Sequence, residues 1–539
     1  MQLSPSAHVD TFCRDNLPAP GLWPDLEFTL PELAYPDQLN AADELLNPTI
    51  DAGGADRPCL LSPTDTWTYG DVAKRAAQVA RALTEDLGLI PGNRVLLRGP
   101  NNPWLAACWL GVLKAGGVAV ATMPMLRAAE LSSIGAIAQI RLGLCDHRFT
   151  ADLRAAAIPD LRIVEFGGSD PADLTELAAG QPAEFASVQT AADDVAMISF
   201  TSGTTGKPKA AMHFHRDLLA ATDAFSGRVL QPRPDDVFAG TPPLAFTFGL
   251  GGLLLFPLRA GAASLLLEKA TPTELADAID EHGVTVLSTA PTAYRAMLAA
   301  DKAPKLRGLR LPVSAGEHLP ESTWQAFYEA TGVKIIDGIG STEMLHIFIA
   351  AAGDDIRPGS TGTAVPGYTA AVLARDGKPV PDGEPGRLAV KGPTGCRYLN
   401  DERQRSYVQD GWNITGDTYV RDEEGYFWYQ ARSDDMIISG GYNIAGPEIE
   451  EVLLSHPDVA ECGVVGVPDV ARGQIVKAYV VLADGAVGGD DKARELQDLV
   501  KERIAPYKYP RAVEFVATLP RTNTGKLQRF RLRERTAAE

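Results

Sequence analysis

The 539-residue chain has no C-x-x-C pair, and its six cysteines, Cys13, Cys59, Cys108, Cys145, Cys396 and Cys462, are scattered along it. Neither a zinc site nor a disulfide framework is indicated, and a reducing cytoplasm is the expected compartment. An apolar run of membrane-spanning length is missing as well. The greasiest stretch, 250–267, is interrupted by Pro257 and Arg259. The amino terminus, MQLSPSAHVD, lacks the basic flank and apolar run of a signal peptide, so neither an export signal nor a membrane span is expected. Basic charge is also short: Lys and Arg number 50 against 69 Asp and Glu, a formal net charge of -19. Nothing in that balance invites nucleic acid, although a few local cations could still hold a small acidic ligand. There is no internal repeat, and the one low-complexity patch, ADGAVGGDD, reads as a surface loop.

What is present is ordinary soluble-protein material. An apolar share of 45% is enough for a large core, and the length suggests about three or four folding units. From Trp67 to about 430, helix-period runs such as YGDVAKRAAQVARALTEDLG alternate with short apolar runs such as RVLLRG, which predicts layered α/β structure with buried sheets. Strands are predicted at VAMISF, ASLLLE, VTVLSTA, LRLPVSAG and VKIIDGIG, and a Thr-capped helix over TPTELADAIDEHG ends at Gly283. Between Gly359 and Tyr429 the texture becomes turn-rich and strand-like, as in a β-rich subdomain. About a hundred residues beyond RSDDMIISGGYN, with a helix started by Pro447, read as a separate α+β domain. The expected division is 1–433 for a large ligand-binding domain and 434–539 for a small mobile one. The Pro-rich first forty residues give little pattern.

The predicted strand VAMISF leads straight into SFTSGTTGKPKA, Ser199 to Ala210. This is not a Walker loop, because only two residues separate Gly203 and Gly206 and Lys207 is followed by Pro208 rather than a magnesium-binding hydroxyl. Thr201, Ser202, Thr204 and Thr205 nevertheless present hydroxyls beside glycine amides, with Lys207 and Lys209 as charges, a set suited to phosphate oxygens. A polar surface loop would carry the same string. DGIGSTEM places a hydroxyl beside a carboxylate after a strand, as a magnesium-bound polyphosphate needs. Taken alone, it is equally a fragment of a dinucleotide fingerprint lacking its third glycine.

Together these segments resemble the adenylate-forming superfamily of acyl-CoA synthetases, adenylation domains and firefly luciferase, over most of the chain from Trp67 onward. TSGTTGKPK is similar to its phosphate loop, implying ATP contacts from Thr201, Ser202, Gly203, Thr204, Thr205, Gly206 and Lys207. By the same resemblance Thr342 contacts the α-phosphate and Glu343 helps hold Mg2+. Gly316 and Glu317 of SAGEHLP, with Asp337, line the adenine. Asp417 of NITGDTYV and Arg432 and Tyr429 of YQARSDD serve the ribose. Lys526 of LPRTNTGKLQR bridges the substrate carboxylate and the α-phosphate. Asp434 is the hinge, and Gly440 and Gly441 lie beside the tunnel for the coenzyme A thiol. Read singly, each has a plain alternative: a strand-end turn at SAGEHLP, and exposed charges at Asp417, Arg432 and Lys526.

DGIGSTEMLHIF and the C-terminal segment look like benzoate-CoA ligases, and HVDTFCRDNLP, LLRGPNNPWLAACW and PPLAFTFGLGGLLLFPLRAGA look like 2-aminobenzoate-CoA ligases. The resemblance thus implies an AMP-forming acid-thiol ligase whose substrate is 2-aminobenzoate, with benzoate and 2-hydroxybenzoate as alternatives. A medium-chain fatty acyl ligase and an enzyme loading a carrier protein stand further off. The implied acid pocket comprises Phe246, Thr247, Phe248, Gly340, His346 and Ile347, although His346 would equally serve as a packed core histidine. Relatives are monomers or dimers. Two positions depart from the pattern: Ala210 stands where the phosphate loop commonly ends in glycine, and Phe246 where many relatives place a gating histidine.

Overall fold

The computed structural model describes residues 3–201, 208–432, 435–439, 442–469, 473–504, 508–522 and 525–537. Its fold is α/β, with a large N-terminal domain of layered sheets, a β subdomain and a small C-terminal domain. A six-stranded sheet runs in the order Arg162–Phe166, Leu142–Asp146, Arg94–Arg98, Val118–Thr122, Val195–Thr201, Lys209–Phe214, parallel except for its last pair. A nine-stranded sheet is parallel at its centre, where Ile336–Gly340, Leu311–Ser314, Val286–Thr289 and Val237–Gly240 lie side by side. One apolar core joins the two, with Val95 and Leu97 from the first sheet and Val286 and Ile336 from the second.

Local chemistry explains the elements that frame the site. Thr68 and Asp71 cap each other's backbone at the start of Tyr69–Arg81, and Thr271 and Glu274 do the same for Pro272–Glu281. The periodicity over 69–88 suggests one α-helix; the structure continues it past Arg81 as a wider π turn, Ala82–Asp86, which keeps Leu83 buried. Strand Arg94–Arg98 is buried along its whole length although it begins and ends on arginine. Arg98 spends its guanidinium on the carbonyls of Phe149, Met123, Pro124 and Leu126, and Arg94 donates to Ala138 and Gln139 at the end of a helix.

Alternation begins earlier than Trp67. Pro58–Leu61 and Thr66–Thr68 form the far edge of the nine-stranded sheet, strands too short to show a period in sequence. The N-terminal segment from residue 3 packs on the sheets, where Asp193 and Asp194 accept the amides of Ser4 and Ala7. The β subdomain is antiparallel, built on Thr369–Leu373, Pro385–Lys391, Trp412–Arg421 and Phe427–Arg432. In the small domain Val459–Asp469, Gly473–Leu482 and Ala512–Phe515 form a sheet with helices Gly446–Leu454, Asp490–Arg503 and Arg529–Ala537. Among the described residues no helix is long and apolar enough to cross a membrane.

Candidate active site

The end of strand Ile336–Gly340 organises one half of the site. The chain turns through 341–346 and returns antiparallel as Ile347–Ala350, with Gly340 opposite Ile347 at a register shift. A Cβ on Gly340 would stand 2.6 Å from the His346 carbonyl oxygen and 2.8 Å from the Ile347 nitrogen, so only glycine permits this close return. Inside the turn Leu345 is buried and holds a left-handed φ of 71°, a conformation that a branched side chain keeps only where its surroundings enforce it. The same turn presents Thr342, whose carbonyl accepts the Leu345 amide at 3.2 Å, and buried Glu343.

Glu343 is held from two directions. The Tyr398 hydroxyl donates to its Oε1 at 2.5 Å, and Lys209 Nζ lies 3.7 Å from the same oxygen while donating to Tyr398 at 3.0 Å. Burial first, and the adjacent carboxylate second, push the Tyr398 phenol far above its ordinary range, so it remains a donor. Lys209 begins the strand paired with Val195–Thr201, in which Thr201 faces Lys209. The entry and exit of the hydroxyl-glycine loop are thereby tied to the Glu343 turn. Arg403, ion-paired with Asp401, also donates to the Pro208 carbonyl at 3.1 Å.

The other half comes from strand ends of the β subdomain and from the small domain. Asp417 and Arg432 are cross-strand neighbours joined at 3.1 Å, and a Cβ on Gly416 would crowd the Arg432 guanidinium at 2.9 Å. Burial raises the Asp417 carboxyl, with Arg432 opposing the shift. Burial also pushes the Asp337 carboxyl well up, and its Oδ1 has no hydrogen-bond partner among the described residues. His318 stacks on Tyr429 with centroids 5.2 Å apart. Lys526 reaches in from the small domain, its Cε 3.8 Å from where a Cβ on Gly316 would be. Although open to solvent, it is surrounded by protein: desolvation depresses its ammonium, Arg432 adds to that, and Asp417, Glu317 and Glu343 oppose it. Those opposing carboxylates identify the space Lys526 occupies.

The third component is apolar. His346 is buried in an aromatic box, stacked on Phe225 at 5.5 Å and edge-on to Phe256 at 4.5 Å, with Phe248 at 5.8 Å. Burial holds its imidazole neutral, with a pKa lowered to about 3. Neither ring nitrogen has a hydrogen-bond partner of good geometry among the described residues, although the Phe248 backbone lies close enough for a hydrogen bond that opposes the shift. Gly251 makes room for the ring, since a Cβ there would stand 2.4 Å from His346 Cδ2. Thr247 is buried beside half-buried Phe246 and Phe248, and Ile347 is buried on the returning strand.

The AMP-binding enzyme family matches residues 50–398, and its C-terminal domain family matches 448–526. The chain belongs to the AMP-binding enzyme family. It is 34% identical to a benzoate-CoA ligase of Thauera aromatica over 514 residues, covering 94% of this chain and 98% of that one. The solved anthranilate CoA ligase AuaEII in complex with anthranoyl-AMP superimposes with a TM-score of 0.90 at 35% identity, over 95% of this chain and 100% of that chain. ATP-bound MatB of Rhodopseudomonas palustris superimposes with a TM-score of 0.85 at 30% identity, over 92% and 98%.

In this AMP-binding enzyme most of the residues singled out from sequence fall into three groups. Glu317, Glu343, Asp417 and Arg432 are charges that act on Lys526 beside Gly316, and Thr247, Phe248, Gly340, His346 and Ile347 gather around the aromatic box. Ser202, Gly203, Thr204, Thr205, Gly206, Lys207, Asp434, Gly440 and Gly441 lie outside the described residues. Glu317, expected at the adenine, gives its carboxylate to Arg521 at 3.2 Å. Sequence reasoning passed over Tyr398, Tyr407, Arg403 and Arg521. Tyr407, bonded to Ser341 at 3.1 Å, completes the wall behind Glu343. Only Arg521 carried a local signal, as the charge five residues before the lysine already marked.

Proposed function

We propose that this AMP-binding enzyme is an AMP-forming ligase that joins an aromatic carboxylic acid to coenzyme A. In the first step a carboxylate oxygen bonds to the α-phosphorus of ATP and the bond to pyrophosphate breaks. In the second the coenzyme A thiol bonds to the acyl carbon, its proton is released and AMP departs. The observation that carries this reading is that Lys526 lies near Gly316 within reach of the charges of Arg432, Asp417, Glu317 and Glu343, while one short turn joins Glu343 to the His346 aromatic box.

Each residue has a physical task in the scheme. Asp417 accepts the two ribose hydroxyls while Arg432 keeps its charge compensated. Lys526 offsets the repulsion between carboxylate and phosphate and the negative charge that develops as they join. Thr342 donates to the α-phosphate, and Thr201 with the 202–207 loop grips the departing β- and γ-phosphates. A small domain beginning at Asp434 turns about that residue, exchanging Lys526 for Gly440 and Gly441, beside which the thiol enters.

The residues present suit Mg2+. Among the described residues no three His, Cys, Asp or Glu side chains cluster as a metal cage. Glu343 is instead a single oriented carboxylate, and this ion commonly takes one or two carboxylates plus phosphate oxygens and water. Glu343 would hold it, and the bound ion would supply positive charge to the phosphates. Tyr398→Phe is expected to raise the Mg2+ concentration for half-maximal rate by about 10-fold, as loss of a ligand's supporting bond typically does. A Mg2+ titration that leaves the half-saturation point in place would show that Tyr398 does not orient Glu343.

2-Aminobenzoate is the acid we favour. The ring fits between flat apolar walls, while Thr247 and a neutral His346 nitrogen without a partner can meet an ortho substituent. The anthranoyl-AMP complex of AuaEII and the benzoate-CoA ligase relative support the aromatic class. The deciding experiment scores pyrophosphate release over 2-aminobenzoate, benzoate, 2-hydroxybenzoate and octanoate, with free coenzyme A or a phosphopantetheine carrier as acceptor. Aromatic acids with free coenzyme A should lead, the ortho-substituted ones within about 100-fold of benzoate, because an apolar slot rejects a small polar addition only weakly. Faster turnover of octanoate, or thioester formation only on the carrier, would overturn the assignment.

A further inference from the structure

We infer that Arg521 is a positioning residue for the first half-reaction, clamping the turn that carries Lys526 and fastening that turn to the large domain through Glu317. The inference rests on the two-step reading above. One guanidinium reaches three acceptors: Nη1 donates to the Gly525 carbonyl at 2.6 Å and to Glu317 at 3.2 Å, and Nη2 to Glu461 at 2.6 Å. These acceptors lie in three different places, namely the lysine turn, the strand end beside Gly316 and the small-domain strand Val459–Asp469.

The turn is closed by its own bonds, the Thr522 amide to the Lys526 carbonyl at 2.8 Å and the Lys526 amide to Thr522 Oγ1 at 3.1 Å. Thr522 and Lys526 are therefore held to each other locally. What Arg521 adds is the turn's address relative to the large domain. Glu317 immediately follows Gly316, where an added Cβ would stand 3.8 Å from Lys526 Cε, so the ion pair is formed next to the point where the lysine must be held. The Glu317 carboxyl is raised by burial and drawn back by Arg521, Arg295 and Lys526, so it faces cations from both domains. Arg295, on the large-domain helix Pro291–Ala299, also faces Cys462 of the small domain.

A second contact fastens the same arrangement. The Ser322 amide, in the first turn of helix Glu321–Thr331, donates to Glu451 of the small-domain helix at 2.7 Å. Here a carboxylate from one domain satisfies a helix-end amide of the other. Departure of the small domain breaks both contacts at once. Arginine suits the task because its rigid fork serves several acceptors in fixed directions, whereas a lysine offers one point charge.

The test uses the full chain, with the two half-reactions measured separately: aromatic-acid-dependent ATP–pyrophosphate exchange, and thioester formation from supplied acyl adenylate. Arg521→Met should lower exchange by about 100-fold, the cost of a misplaced catalytic group, mainly in kcat and with little change in the ATP KM. Thioester formation should be retained. Glu317→Gln, a milder change, should shift exchange in the same direction, and the charge swap Glu317→Arg with Arg521→Glu should recover activity relative to either single reversal. Equal loss in both half-reactions, or strictly additive effects in the swap, would overturn the inference. Hydrogen exchange without substrate gives a readout independent of turnover: the Ser322 amide, bonded across the two domains, should exchange faster in Arg521→Met. Unchanged protection refutes the clamp whatever the activity. A wild-type chain that exchanges pyrophosphate with no aromatic acid refutes the functional reading instead.

Discussion

Lys526→Ala should reduce aromatic-acid-dependent pyrophosphate exchange by about 10²–10³-fold while leaving thioester formation from supplied acyl adenylate nearly intact. The magnitude is that of removing one preorganised charge-stabilising donor from a reacting centre. Two anions must meet there, and Arg432, already committed to Asp417, cannot move to replace the lost ammonium without leaving that carboxylate buried and uncompensated. The asymmetry between half-reactions follows from where Lys526 sits. It belongs to the small domain, and its function in the scheme ends when pyrophosphate leaves. Rapid-quench measurement of both steps decides the matter; comparable losses in the two would sink the division of labour.

Asp217→Asn should destabilise the large domain by about 3–5 kcal/mol, the cost of leaving one partner of a buried ion pair uncompensated. Asp217 and Arg397 meet at 2.7 Å with neither side chain exposed at all. Asp217 Oδ2 also accepts the Phe214 amide at 2.9 Å, closing the start of helix His215–Ala221. Arg397 has little fallback: its Nη1 also reaches the Gly395 carbonyl, at 3.5 Å, but its Nε and Nη2 find no hydrogen-bond partner among the described residues, and its guanidinium lies 4.0 Å from the Phe214 ring centroid. Denaturant titration followed by tryptophan fluorescence reads the change. Adding Arg397→Met to Asp217→Asn should recover much of it, since replacing the second charged partner removes the orphaned charge. A loss below about 1 kcal/mol for the single variant would place the pair with exposed ones and contradict its burial.

The sequence was readable where chemistry is local. Strand Val195–Thr201 leads into hydroxyls and glycines, Thr271 caps a helix three residues before Glu274, and Thr342 and Glu343 sit together after a strand. Such features are written within a few positions, so propensity and spacing expose them. Tyr398 could not be found that way: it is 55 residues from Glu343 and 189 from Lys209, and nothing in GCRYLN distinguishes a buried phenol aimed at a carboxylate from one in a core. Glu317 shows the opposite failure. Its neighbourhood marked it as part of the site, but its partner Arg521, 204 residues away, is brought to it by the arrangement of two domains. The short strand Pro58–Leu61 gave no period because four residues hold only two of each face.

Leu345 carries a consequence for fidelity. Its left-handed backbone stands between Glu343, two positions before it, and His346, the next residue, in a conformation with a single narrow well. With Gly340 pressed against the His346 carbonyl, the turn has no slack to absorb a displacement at one end. On the proposed reading, an acid whose ring sits badly against His346 should displace Glu343 as well, so a wrong substrate should be penalised in the rate of bond making rather than in how tightly it is held.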